Sequence, residues 1–384
     1  MKVVPANRSI PSLDGLRAVS VFMVILGHTQ SKFLDRIPFN AVFRDGGQGV
    51  AVFFVISGFL ITHLLLKELK REGQISLKRF YLRRTFRIFP PFYVYLLVVA
   101  LLTVFHVIQV HASSLVAAGT YTWNYVPVSW SADWALGHCW SLALEEQFYL
   151  LWPACMVFFG RKTSLKIAVG FVAFSPLSRI VTYYAWPEMR GHLGMMLHTH
   201  LDTIMTGCLL ALMIDMDICQ RFRRVALHPA SPVAAILFLA AVDGPASLRW
   251  RGNYTLTAGF SLENLAIAVL VLYVVFRHES PLGKLLNLRW VRHLGTISYS
   301  LYLWQQLFAG PYTHIFPLNV ALILLCAEGS YFLVERPSFK ARDFVERVTF
   351  LKTAQGTLDV VPGGANVNVV VTGIRPDVAR CTGR

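Results

Sequence analysis

Asp14, Arg17 and His28 lie in one apolar stretch, SLDGLRAVSVFMVILGHT, which otherwise reads as a membrane-spanning helix. Ten residues separate Arg17 from His28. Eleven steps along an α-helix make about three turns, so the two side chains share a face roughly 16 Å apart in depth. Asp14 falls near the same stripe. Each ionisable group would cost about 2.5 kcal/mol or more against lipid near the bilayer centre, so the three must face protein or a wet cavity. A buried neutral imidazole is a natural general base, because its ordinary pKa near 6.5 needs little tuning. A lone histidine bonded to a neighbouring helix would be the bland account. The Arg and Asp on the same stripe favour a reaction centre or a proton path.

A second group lies in WSLALEEQFYLLWP, where Ser141, Glu145, Tyr149 and Trp152 recur at helical spacing on one face. Glu146 points about 100° away. Glu145 is expected to orient the imidazole, to do acid–base work, or to ion-pair with Arg17. The third group is the basic stretch KELKREGQISLKRFYLRRTFRIFPP. Much of it serves topology and anionic lipid. Arg84 and Arg87 differ, one helical turn apart before Pro90 and Pro91, and two guanidiniums held that way grip phosphates.

Smaller features carry less. His198, His200 and Asp202 resemble metal ligands, but i and i+2 fall on different helical faces, so no metal site is expected. Tyr299, Tyr302, Trp304, Gln305 and Gln306 form an interfacial belt or line a polar pocket, and Tyr121, Trp123, Trp130 and Trp134 are equally at home in such a belt. Gly49, Ser57 and Gly58 permit close helix packing. No GxSxG, Walker, GxGxxG or HExxH pattern occurs, which leaves hydrolase, ATPase and dinucleotide readings without support.

The elements that position these groups follow from composition. The 384 residues are 55% hydrophobic and only 15% charged, far from a soluble domain. Ten spans can be drawn, at 16–34, 48–66, 88–107, 139–159, 165–186, 196–216, 230–243, 256–276, 293–309 and 315–334. The net charge of +15 does not mark a nucleic-acid binder, because the basic residues cluster in short loops. With the amino terminus inside, inner segments up to residue 352 hold 26 Lys/Arg. The outer ones hold seven: Lys32, Arg36, Arg44, Arg179, Arg190, Arg249 and Arg251. This asymmetry predicts an all-α polytopic bundle in the lipid bilayer, with both termini cytoplasmic. The first helix lacks a cleavage site and is expected to be retained. The six cysteines have no metal-type spacing and are expected to be free. Residues 1–352 form the membrane domain, and 353–384, rich in Gly, Pro and Asn, are expected to be a flexible cytoplasmic tail.

The ordered segments LDGLRAVSVFMVILGHT, GVAVFFVISGFLIT, RRTFRIFPPFYVYLL, WSLALEEQFYLLWP, LDTIMTGCLLA, LGTISYSLYLW and FLVERP resemble the bacterial acyltransferase 3 family of membrane O-acyltransferases. The resemblance spans residues 13 to 337. It implies an enzyme of the bacterial cytoplasmic (inner) membrane, with no bound cofactor. Such an enzyme moves an acyl group, usually acetyl, from acyl-CoA to a hydroxyl of an envelope glycan or exported small molecule. By motif, Arg17 and His28 match the helix-1 Arg-x10-His pair, with His28 catalytic. Arg84 and Arg87 match the donor-binding RxxR, which Arg17 is expected to assist, and Glu145 matches the Glu of WSLxxE. Asp14, Ser141, Tyr149, Asp202 and Tyr299 are expected to support the acceptor side. Two departures stand out: Gln305 where the family commonly has His, and His200 where it often has Arg. Some relatives carry a fused esterase-like domain, here expected to be a separate protein. A transporter using the same buried groups as a relay is the competing class, and an inactive scaffold a third.

Overall fold

The computed structural model describes residues 10–29, 46–126, 133–250, 252–310 and 315–358. Among these, the regular elements are helical. The helices that matter for function are α1 (Pro11–His28), α2 (Gly46–Glu72), α3 (Leu77–Val104), α4 (Cys139–Ala185), α5 (Leu197–Asp215), α6 (Phe260–Phe276), α7 (Ser298–Phe308), α8 (Leu318–Ser330) and α9 (Arg336–Leu358). Their ends follow local chemistry. Pro11 opens α1, where its missing N–H costs nothing, and the Ser76 hydroxyl caps α3 by accepting from the Arg79 backbone N–H at 3.3 Å.

Among the described residues, six helices are long and apolar enough to cross a membrane, or seven if the pair Gln220–Ala226 and Ser231–Ser247, bent by 81°, forms one span. Ten separate spans were expected from the sequence; 16–34, which holds the 18-residue α1, and 230–243, which falls in the bent pair, are not among the six, and two further features bear on the count. The expected spans 139–159 and 165–186 belong to one 47-residue helix, broken at Gly160 (φ 68°, ψ 175°), a backbone conformation that suits glycine. The expected span 293–309 is two short pieces, Arg289–Thr296 and α7.

Side-chain partners fix the helix directions. Gly49 lies against the Ser20 carbonyl and Val24, while Gly46 faces Val24, so α1 and α2 are antiparallel. Ser57 meets Glu145 and Thr62 meets Trp152, so α2 and the first half of α4 run the same way. Lys70 meets Asp215, which puts the carboxyl ends of α2 and α5 together. Arg17 and Ser298 line one cavity and His28 reaches Gln305, so the short α7 runs parallel to α1.

The core of the bundle is the α2–α5 contact. A β-carbon on Gly58 would collide with the Ile204 carbonyl, and one on Gly207 with the Val55 carbonyl. Small residues are what lets two membrane helices approach this closely. Replacing Gly58 with Leu should therefore cost at least roughly 1–3 kcal/mol, read as a lower melting temperature of the detergent-solubilised protein. Unchanged melting would show that the two backbones are not held this close.

The chain divides into two compact units, Met1–Arg342 and Asp343–Arg384. The expected boundary at 352/353 falls inside α9, which continues the helix through Leu358. The rest of the expected tail, 359–384, lies outside the described residues. Cys139, Cys155, Cys208, Cys219 and Cys326 are free; Cys381 also lies outside the described residues.

Candidate active site

His28 is the last residue of α1, and its ring is fixed from α7. Its Nδ1 is 2.9 Å from the Gln305 side-chain oxygen. The Gln305 amide nitrogen donates to the Gln306 side-chain oxygen at 2.8 Å. With the Gln305 oxygen facing the ring, Nδ1 donates, and a neutral imidazole in this arrangement keeps its lone pair on Nε2. The Trp134 ring stands edge-on to the imidazole, 5.5 Å between centroids, and its Nε1–H donates to the carbonyls of Gln306 (3.0 Å) and Ala309 (3.1 Å). Gln305 is fully buried. Gln305, which stood out in the sequence, is thus the side chain that holds the imidazole.

About three turns nearer the start of α1, Arg17 lines a cavity of ≈40 Å³ with Ser57, Ser141, Glu145, Tyr299 and Tyr302. That volume holds a water molecule. Glu145 accepts from the Ser57 hydroxyl at 2.7 Å and from the Tyr149 hydroxyl at 3.1 Å. The side-chain partner of the His28 ring is Gln305, and the partners of Glu145 are Ser57 and Tyr149. Ser57, expected to serve only packing, is a partner of this carboxylate. Ser141 and Tyr302 share a hydrogen bond, and the Ser141 hydroxyl also donates to the His138 carbonyl at 3.0 Å. The Tyr299 hydroxyl donates to the Ile88 carbonyl at 3.0 Å, tying α7 to α3 one residue from Arg87.

A second cavity, of ≈280 Å³, opens where α2 ends and α3 begins. Lys67, Arg71, Arg83, Arg84, Arg87 and Arg342 line it, with Glu68 as its carboxylate. Glu68 is itself engaged by Arg79 (3.6 Å) and by the Ser76 backbone N–H (3.2 Å). Arg84 also lies over the Tyr149 ring at 4.6 Å, so it joins this basic cavity to the Glu145 group. Arg87 sits in the fields of Arg17 and Glu335, and Glu335 is held by the Ser300 hydroxyl. The sequence offered Glu335 only as a letter in FLVERP. The basic cavity, Arg87 and Arg84, and Arg17 with Glu145 follow one another, and His28 lies about three turns further along α1.

Two expected site residues, Asp14 and Asp202, have other partners. Asp14 sits among Arg17, Arg87 and Arg292, and its backbone packs on Gly295. Asp202 pairs with Arg179 at 3.0 Å, and both are buried. Arg179, counted among the outer cations, is thus an interior residue. His200 packs against Phe260, Phe54 and Trp140. No cluster of metal-ligating residues occurs among the described residues. The aromatic residues near 121–134 do not form a belt: Trp123 is fully buried, Tyr121 stacks on Phe92 at 4.8 Å, and Trp134 serves His28. Trp130 lies outside the described residues.

The chain as a whole matches a known family. The acyltransferase 3 family, described as an acyltransferase domain, covers residues 10–331, and the chain belongs to it. Among curated relatives, it is 28% identical over 366 residues to the peptidoglycan O-acetyltransferase OatA of Listeria monocytogenes, covering 86% of this chain and 56% of that protein. It is 29% identical over 395 residues to the O-acetyltransferase OatA of Staphylococcus aureus, covering 92% of this chain and 62% of that one. The chain thus spans little more than half the length of these relatives. No solved structure matches.

Proposed function

We propose that this protein is an O-acetyltransferase of the bacterial cytoplasmic membrane. It transfers acetyl from acetyl-CoA to a hydroxyl of a cell-envelope glycan. The observation that carries the reading is His28, its Nε2 lone pair left by Gln305, about three turns along α1 from Arg17, with a basic cavity beyond. The relatives' printed activities support the acetyl group and the glycan.

The coenzyme A phosphates bind Arg84 and Arg87, as planar guanidiniums bind phosphate. The cavity's Lys67, Arg71, Arg83, Arg84 and Arg87 belong to the basic stretch that the positive-inside rule assigns to the cytoplasmic side, where the donor is found. Arg17 and His28 are about 16 Å apart along α1, a span that an extended pantetheine arm covers. His28 Nε2 takes the proton of the acceptor hydroxyl as the oxygen attacks the thioester carbonyl. The ester C–O bond forms, the C–S bond breaks, and the thiolate recovers the proton from His28. Arg17, between the basic cavity and His28, assists in holding the donor.

The test uses purified protein in nanodiscs with labelled acetyl-CoA and an envelope-glycan fraction. Label is expected in the glycan with the wild type and not with His28→Ala. A transporter would move glycan without consuming acetyl-CoA, so a folded wild type that releases no coenzyme A would overturn the proposal.

A further inference from the structure

A third cavity, of ≈450 Å³, takes no part in the scheme above. It lies at the other end of the bundle from the basic cavity. Arg161 pairs with Asp215 at 2.9 Å, and Asp215 also holds Lys70, next to the cavity residues Lys67 and Arg71. From Arg161 to Tyr183, α4 advances roughly 22 residues, or about 33 Å, the thickness of a bilayer core.

Its walls are Tyr183 and Tyr184 at the end of α4, with Arg249, Trp250, Asn253 and Thr257 facing them. π-Helical turns at Leu239–Asp243 and Thr255–Gly259 flank the facing stretch, and such turns often mark functional sites. The walls are braced. The Arg190 guanidinium lies 4.4 Å over the Tyr183 ring and its Nε donates to the Tyr183 carbonyl at 3.0 Å. Leu256, which also lines the cavity, offers its carbonyl to Arg179 Nε at 3.2 Å. Arg179 in turn is held by the Thr199 carbonyl at 2.7 Å and by Asp202. The buried Arg179–Asp202 pair, which has no part near His28, thus positions this wall.

Three aromatic rings suit the apolar C–H faces of sugar rings, while Asn253 and Thr257 match hydroxyl and amide groups. Arg249 lines the cavity and, among the described residues, no carboxylate does, which favours an anionic ligand. A belt of interfacial Trp and Tyr lies against lipid and needs no concavity. We propose that this cavity is the docking groove for the acceptor, a strand of anionic glycan arriving on the face opposite the donor. The inference rests on the acetyltransferase reading and assigns its acceptor side.

Trp250 is 59% exposed and Arg249 is also exposed, so substitutions there leave the fold intact. With soluble peptidoglycan strands and saturating acetyl-CoA, Trp250→Ala and Arg249→Glu are each expected to raise the half-saturating strand concentration at least about tenfold. Maximal turnover and the KM for acetyl-CoA should not change. Equal half-saturation in all three proteins would overturn the groove and leave the reaction standing. Binding of labelled strands without donor separates the two ideas. Trp250-dependent binding to a wild type that transfers nothing would sink the reaction and keep the groove. Binding that both substitutions leave unaltered would remove the groove.

Discussion

His28→Ala is expected to lower acetyl transfer at saturating donor and acceptor by about a thousandfold or more, with melting temperature and acetyl-CoA affinity close to wild type. General-base catalysis alone accounts for about 10²–10⁴ in rate. His28 is the group whose lone pair faces away from its structural partner. The same geometry predicts a graded series at Gln305. Gln305→Leu removes the acceptor of the Nδ1 proton, frees the ring to change tautomer, and should cost about ten- to a hundredfold. Gln305→His restores an acceptor when the new imidazole is neutral, and should recover most of the loss. The measurement is turnover of labelled acetyl-CoA in all three variants beside the wild type. Full activity in a folded His28→Ala protein would remove the mechanism. Full activity in Gln305→Leu would remove only the orienting role.

The sequence exposed one half of each pairing and hid the other. Helical period alone placed Arg17 and His28 on one stripe, and Ser141, Glu145 and Tyr149 on another, because spacing within a helix dictates which side chains share a face. It could not say what stands opposite. Gln305 is 277 positions from His28, and a glutamine in SYSLYLWQQ carries no chemical signature. Ser57 looked like a packing residue because small side chains serve both ends. Arg179 looked like an outer cation because a charge near a segment edge is ordinarily solvated, whereas Asp202 and two backbone carbonyls compensate it inside. The helical architecture was legible from hydropathy. The span count is less so: the sequence spans 139–159 and 165–186 already part at Gly160, where α4 breaks, but helix length and hydropathy alone do not bring out α1 or the short α7 as spans.

Reversing both charges of the pair, Arg84→Glu with Arg87→Glu, is expected to have the second largest effect. Each guanidinium lost from a phosphate site removes a charge-assisted hydrogen bond worth about 1.5–3 kcal/mol, and each carboxylate adds repulsion. Acetyl-CoA affinity should therefore fall by at least about a hundredfold. The single changes should differ in kind. Arg84 also covers the Tyr149 ring beside Glu145, so Arg84→Lys, which keeps the charge but loses the planar stack, should lower turnover as well as affinity. Arg87 is flanked by Arg17 and Glu335 inside the bundle. Arg87→Gln leaves Glu335 without that cation and should lower the melting temperature along with affinity. Titration of acetyl-CoA into nanodisc-embedded protein reads the affinities, and the salt dependence of binding gives a control, since loss of phosphate contacts should flatten it. Unchanged affinity in the double reversal would place the donor phosphates elsewhere, while leaving the His28–Gln305 pair as the base.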